Sequence, residues 1–345
     1  MEGKVTLGIT RDIFDADGKL DVPGPGLELL DEMPEIQYRM FDQFLPEVTA
    51  EQIQGCDMVI SAAASWTERS VAGNDQLIAL LYTGVGYDHI DVQALTDAGV
   101  LFCFAPDAVR RPMACTIITF ILTLAMKLMA KDKITREGRW AEQNDYRGEG
   151  LMGKTLGSIG VGNIGHEAFV LAQPFGMRHL GCDPYIEQAD VDDVGVQLVG
   201  MDTLLAESDF VSISVPLNEE THHLVGEREL RKMKSTAYLI STSRGPVVDE
   251  VALIEALQDG WIRGAGIDVF EQEPVDPDNP ILGMDNVVVS PHSLCHTDEY
   301  YKLAWGGKLQ QAAQILRGQI PDALVNTEVL ETPAFQTKFK KFQTS

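Results

Sequence analysis

Residues 155–168 read TLGSIGVGNIGHEA. An apolar run leads into Gly160, Gly162 and Gly165, spaced G-x-G-x-x-G, and a helix-like segment follows. The bare pattern says little, since a similar GVG recurs at 84–86. Its setting is what informs: the first glycine closes a predicted strand and the third falls inside a predicted helix. In such a unit the first glycine permits the tight turn, the second lets a pyrophosphate approach the backbone, and the third allows close helix–strand packing. The amides of Asn163 and Ile164 at the helix N-terminus then face the phosphates. Asp183 ends the next predicted strand, 183 − 165 = 18 residues on, near the spacing of a carboxylate that bonds an adenosine ribose. A carboxylate there repels a 2′-phosphate, and Pro184 and Tyr185 bring no compensating cation, so the predicted cofactor is NAD. The competing reading is a glycine turn in a non-binding α/β domain.

Outward from this unit, short apolar runs alternate with helix-like segments in both directions. KVTLGIT, IQYRMF, DMVISA, LIALLYTG and VLFCFAP predict five strands in the first 107 residues. Between the last two, Asp91 is placed to cap a helix and Gly99 to end it. TLGSIGV, HLGCDP, FVSISV, AYLISTS, GAGIDVF and NVVVSP predict six more strands after Lys154. Strand–helix alternation of this kind predicts mainly parallel sheets covered by helices on both faces, here in two domains. The tail from about residue 297 reads as helical at first and then polar.

Three loops that follow predicted strands of the second series carry chemistry. They are STSRGPVVDE (241–250), GAGIDVFEQEP (264–274) and VVVSPHSLCH (287–296). Ligands of open α/β sheets bind at the carboxyl ends of the strands, so Arg244, Glu273 and His292 are predicted to converge there. An arginine pairs bidentately with a carboxylate. A histidine can take a hydroxyl proton, and a carboxylate behind it orients the ring. Taken singly, each residue has a bland alternative: a loop bridge, a surface acid, a turn residue. A metal reading of His292, Cys295 and His296 lacks a fourth ligand and a suitable geometry, and no metal is predicted. His89, His166, His179, His222 and His223 show no comparable setting and are assigned structural or exposed roles.

Together these stretches resemble the D-isomer-specific 2-hydroxyacid dehydrogenase family, whose members include D-lactate, D-glycerate, phosphoglycerate, glyoxylate/hydroxypyruvate and formate dehydrogenases. The resemblance runs from about residue 52 to 320. It rests on GVGYDHID, GKTLGSIGVGNIG, SRGPVVDEVALIEAL, GIDVFEQEP and SPHS, in the family's order. It implies Arg244 on the substrate carboxylate, Glu273 paired with His292, and His292 as acid/base. Asp268 is implied to face the nicotinamide side of the cofactor. Val215, Pro216, Thr221, Thr242 and Ser243 fall in the implied cofactor loops, and the backbone at Val85 and Gly86 is implied to hold the substrate carboxylate. The implied fold is a Rossmann-like NAD domain, 108–296, and a discontinuous flavodoxin-like substrate domain, 1–107 with 297–345. A homodimer through the NAD domains is implied as well, a role suited to the apolar helix near 113–130 and the arm around Trp140.

The chain departs from family habit at Pro106-Asp107, at Met113-Ala114-Cys115, and at Ser214, where a histidine usually precedes Val215-Pro216. Glu273 stands where formate enzymes carry glutamine, and Val85 where phosphite enzymes carry lysine. SAAASWTE lacks the arginine of phosphoglycerate enzymes, and Ala108 replaces the aromatic residue of D-lactate enzymes. Arg110 and Arg111 admit two readings: contact with a second carboxylate on the substrate, or pairing with the chain's own acids. A family-related alternative to an enzyme is an NAD(H)-sensing scaffold of the C-terminal-binding-protein corepressor type. The short tail speaks against it.

The formal net charge of −25 repels nucleic acid and anionic membrane surfaces. The partner that the resemblance implies is a small 2-hydroxy or 2-oxo acid. Five cysteines without a CxxC fit reduced thiols and a cytoplasmic location. MEGKVTLGITRD lacks the basic-then-apolar pattern of a leader. MACTIITFILTLAM, residues 113–126, is shorter than the ~18 apolar residues of a spanning helix and predicts a buried or interface helix.

Overall fold

The computed structural model of the chain describes residues 4–13, 30 and 32–343. Residues 1–3, where the leader reading begins, lie outside them. The chain divides into two compact units, Met1–Val109 with His296–Ser345, and Arg110–Cys295.

The first unit holds a parallel sheet of β1 (Val5–Ile9), β2 (Ile36–Met40), β3 (Met58–Ser61), β4 (Ala79–Tyr82) and β5 (Leu101–Cys103), in the order β2-β1-β3-β4-β5. All five are the strands read from the sequence. Their alternating side chains build two cores. Met58, Ile60, Ala79, Leu81, Leu101 and Cys103 face one side, whereas Val59, Leu80 and Phe102 face the other with Trp66 and Leu95. The first core is closed by the tail. The helix Asp298–Leu316 lays Trp305, Leu309, Ala312 and Ile315 on it. Residues 333–343, read as polar, instead form the helix Pro333–Gln343 with Phe335, Phe339 and Phe342 buried in the same core. Three aromatic residues at i, i+4 and i+7 make one apolar stripe, and burying it outweighs the polar average of the segment. Asp91 does cap the helix Val92–Asp97, through the Ala94 amide, and Gly99 follows at φ +68°.

The second unit holds β6 (Thr155–Ile159), β7 (Arg178–Cys182), β8 (Val196–Leu198), β9 (Phe210–Ile213), β10 (Tyr238–Ser241), β11 (Gly264–Ile267) and β12 (Val287–Val289). All are parallel, in the order β12-β11-β10-β9-β6-β7-β8. The order reverses between β6 and β9, which makes a doubly wound sheet with its ligand crevice at that point. Six of the seven strands correspond to those read from the sequence. The seventh, β8, pairs with β7 alone at the sheet edge and carries the exposed Gln197 at its centre, so no apolar run marks it. The helix Pro106–Ala125 is long and apolar enough to cross a membrane by length and composition. Its Ala114, Ile117, Phe120, Ile121 and Leu124 pack instead with Leu156, Phe169, Phe210 and Ile240 in the core of this unit.

Candidate active site

The glycine-rich turn follows β6. Gly160 takes φ +87°, and a Cβ on it would lie 2.6 Å from the Ser214 carbonyl oxygen. Only glycine satisfies both conditions. Gly165, inside the helix Asn163–Ala172, would place a Cβ 2.5 Å from the Gly160 carbonyl oxygen, which confirms close helix–strand contact. Gly162, the residue before that helix, has no atom within 4 Å of its Cβ position, leaving open space for a ligand on the backbone. As the first two helical residues, Asn163 and Ile164 have amides with no intrahelical carbonyl to meet. Asp183, one residue past β7, accepts from Val161 N at 2.8 Å and from Tyr185 N at 2.9 Å. Its carboxylate is thereby locked beside the glycine turn.

Across the crevice lie the loops after β9 and β10. Thr221 donates from Oγ1 to the Pro216 carbonyl at 2.6 Å and so holds the loop that begins at Val215. Thr242 is buried, as are the hydroxyls of Ser214 and Ser243, which have no hydrogen-bond partner among the described residues. Buried hydroxyls without partners call for a ligand or water. With the open face of Gly162, they fit a dinucleotide laid along this crevice.

The loops after β10, β11 and β12 carry the candidate reactive groups. His292 Nδ1 lies 2.7 Å from Glu273 Oε2. A carboxylate only accepts, so Nδ1 carries the proton of this bond and Nε2 is left as the atom for exchange. Glu273 Oε1 accepts from Phe270 N at 3.0 Å. Burial raises the pKa of Glu273; the bonds from His292 and Phe270 and the charges of His292 and Arg244 outweigh it, and the net displacement is downward. Glu273 is therefore an anion at neutral pH. His292 sits at φ +52°, its amide donating to the Asp268 carbonyl at 2.7 Å. Asp268 is buried, and its Oδ1 accepts from Ser293 N at 3.2 Å and Leu294 N at 3.3 Å, so it also anchors the histidine loop. Arg244 follows β10 and donates from Nη1 to the Ser243 carbonyl at 2.9 Å. Val85 and Gly86 belong to the first unit, in the turn after β4, where the Gly86 carbonyl accepts from the Tyr82 hydroxyl at 3.0 Å.

The structure favours one of the two readings of Arg110 and Arg111, their pairing with the chain's own acids, and one other assignment changes. Arg110 and Arg111 both meet Glu167, at 3.7 and 3.0 Å, so the substrate-reading role loses its support. Glu167 is almost buried on the helix Asn163–Ala172, and no sequence period signals that it faces the two arginines. His223, assigned a bland role, is paired with Glu271 and sits at φ +51°. Its partner lies two residues before Glu273, and that spacing was the available clue. Cys295 is buried, and burial and then Asp268 push its thiol up to about 12, which disfavours a thiolate ligand there.

The model of the D-isomer specific 2-hydroxyacid dehydrogenase NAD binding domain matches residues 118–293. A glyoxylate reductase of Korarchaeum cryptofilum is 37% identical over 324 residues, covering 92% of this chain and 97% of that protein. A glyoxylate reductase of Thermofilum pendens is 38% identical over 319 residues, covering 90% and 94%. Among solved structures, D-lactate dehydrogenase from Aquifex aeolicus, complexed with NAD and lactic acid, superposes with a TM-score of 0.81. It is 26% identical, and the match covers 93% of this chain and 99% of that one.

Proposed function

The chain belongs to the D-isomer specific 2-hydroxyacid dehydrogenase family, and from that premise we propose that it reduces short 2-oxo acids, glyoxylate foremost, with NADH. The chain is an NAD-dependent oxidoreductase acting on the CH–OH group of 2-hydroxy acids. The observation that carries the mechanism is the 2.7 Å contact between His292 and Glu273 at the strand ends of the NAD-binding unit. Glyoxylate is supported by the names of the relatives at 37% and 38% identity.

Bound NADH supplies the hydride that the substrate's carbonyl carbon accepts. Arg244 pairs with the substrate carboxylate and polarises the carbonyl; a hydrogen bond to a charged group is worth roughly 1.5–3 kcal/mol. Protonated His292 gives its Nε2 proton to the carbonyl oxygen as it becomes an alkoxide. Glu273 holds the ring through Nδ1 and leaves Nε2 as the exchanging atom. In sum, 2-oxo acid, NADH and one proton give 2-hydroxy acid and NAD. In the opposite direction neutral His292 takes the hydroxyl proton.

Gly160, Gly162, Asn163, Ile164 and Gly165 cradle the pyrophosphate, and Asp183 takes the adenosine ribose. Val215, Pro216, Thr221, Thr242, Ser243 and Asp268 line the remainder of the cofactor path. The first unit supplies the substrate domain, with Val85 and Gly86 assigned to the substrate carboxylate. The protein is a cytoplasmic homodimer associating through its NAD-binding units. Supporting this are five free cysteines and the exposed Met126, Leu128, Met129 and Trp140.

The test is NADH oxidation by purified protein on glyoxylate, hydroxypyruvate, pyruvate, longer 2-oxo acids and 2-oxo diacids. The highest kcat/KM is expected on glyoxylate or hydroxypyruvate. A clear preference for a bulky or dicarboxylic substrate would overturn the choice of substrate.

A further inference from the structure

Two histidines of the NAD-binding unit, His223 and His292, occupy the left-handed region, at φ +51° and +52°. A bulky residue there is strained and persists only where its surroundings fix it. Each is paired with a carboxylate, and the two carboxylates, Glu271 and Glu273, are two residues apart in the loop after β11. Glu273 serves the proton carrier. The second pair has a different geometry.

His223 lies in the loop after β9, while Glu271 lies in the loop after β11. Strand β10 runs between those two strands. The His223–Glu271 contact therefore bridges over the loop after β10, which carries Arg244. That loop is gripped on both sides. His223 N donates to the Pro246 carbonyl at 2.8 Å, and a Cβ on Gly245 would fall 1.8 Å from the Phe270 carbonyl oxygen. The far side is fixed as well. Glu271 N donates to Glu250 Oε2 at 3.1 Å, and Glu250 Oε1 accepts from Asn279 at 2.7 Å. Arg244 is the residue before Gly245, so its backbone position depends on this bridge.

We propose that His223 and Glu271 are positioning residues: the pair clamps the Arg244–Gly245–Pro246 turn, and so sets the guanidinium where a substrate carboxylate meets it. This rests on the assignment of Arg244 to that carboxylate. Neither residue touches the proton in transit, so loosening the clamp weakens capture of the 2-oxo acid more than it slows the proton step.

The experiment is a double-mutant cycle on the full chain with His223→Asn, Glu271→Gln and both together. Asparagine tolerates the left-handed backbone, and glutamine keeps the size of the acid. Each single variant is expected to raise KM for glyoxylate about tenfold, with kcat within about threefold and the NADH Kd within about twofold, as a misplaced positioning group does. The double variant is expected to be no worse than the singles, because residues in one contact are non-additive. Binding of oxamate, isosteric with a 2-oxo acid, to the NADH complex reads the same loss by calorimetry without turnover. Thermal unfolding checks that each variant is folded.

Unchanged KM and oxamate affinity in folded variants would overturn the proposal while leaving the reductase reading intact. So would additive losses, or losses in kcat alone. A wild-type protein that binds NADH yet neither turns over any 2-oxo acid nor binds oxamate would remove the assignment of Arg244, and the clamp with it.

Discussion

His292 combines a left-handed backbone, a proline before it and a carboxylate behind it. The first two fix the backbone that carries the ring and the third holds the ring itself, which is what a group transferring a proton across hydrogen-bond distance requires. Most of that was legible: Arg244, Glu273 and His292 each follow a predicted strand of one domain. What the sequence hid is which side chains turn toward one another across loops, as His223 and Glu271 do. Pairing across three loops leaves no periodicity. Lys308 shows a second kind of hidden residue. It reads as one more helix cation, yet it is fully buried, with Nζ donating to Gln311 Oε1 at 3.0 Å and Gln311 donating to the Phe104 carbonyl. Burial lowers its pKa to about 7, opposed by Cys103. The unfolded lysine titrates near 10.5, so between the two values the unfolded chain binds the extra proton and stability rises with pH. Buried Cys103 works oppositely, from about 9 upward, because its thiol is pushed up to about 12 in the fold. The clean window is therefore pH 7 to 9. Lys308→Met is expected to unfold at higher urea than wild type at pH 7, the gap narrowing toward pH 9. A gap that does not change with pH would show that Lys308 is not the titrating group.

At the scale of elements, the first unit depends on a tail that comes back from the far end of the sequence. Residues 324–326 dock beside β5: Val325 N donates to the Phe102 carbonyl at 2.8 Å. The buried Asn326 accepts from Phe102 N through Oδ1 at 2.8 Å, and donates through Nδ2 to Thr96 Oγ1 and the Val100 carbonyl, both at 3.0 Å. One side chain thus satisfies three groups that have no water to turn to. Asn326→Ala leaves a buried amide and a carbonyl unpaired and is expected to destabilise the fold by about 2–4 kcal/mol, measured as a lowered urea midpoint at unchanged m. A loss under about 0.5 kcal/mol would mean that water replaces the amide. The strands that sit in continuous apolar runs were readable, even β5 and β12 at three residues each. The three-residue edge strand β8 was not, nor was the final helix, whose three phenylalanines were diluted by lysines and threonines in any average over the segment.

At the scale of the molecule, two doubly wound units are assembled from one chain, the first completed only when the sequence returns after residue 295. Local patterns predicted both sheets, but nothing local in residues 298–316 names the sheet on which that helix packs. The exposed apolar residues at 126–129 and Trp140 are the surface on which the proposed dimer rests. Sedimentation velocity is expected to give a dimer for the wild-type protein and a monomer for Met129→Glu with Trp140→Glu; a monomeric wild type would remove the dimer. The claim that binds all these scales is that His292, held by Glu273, carries the proton in a carbonyl reduction. The most direct measurement is NADH binding and glyoxylate turnover of His292→Asn beside wild type. The expectation is an NADH Kd within about threefold and a kcat lower by 10²–10⁴-fold, the range for losing a general acid. Turnover in the variant within tenfold of wild type would contradict the account.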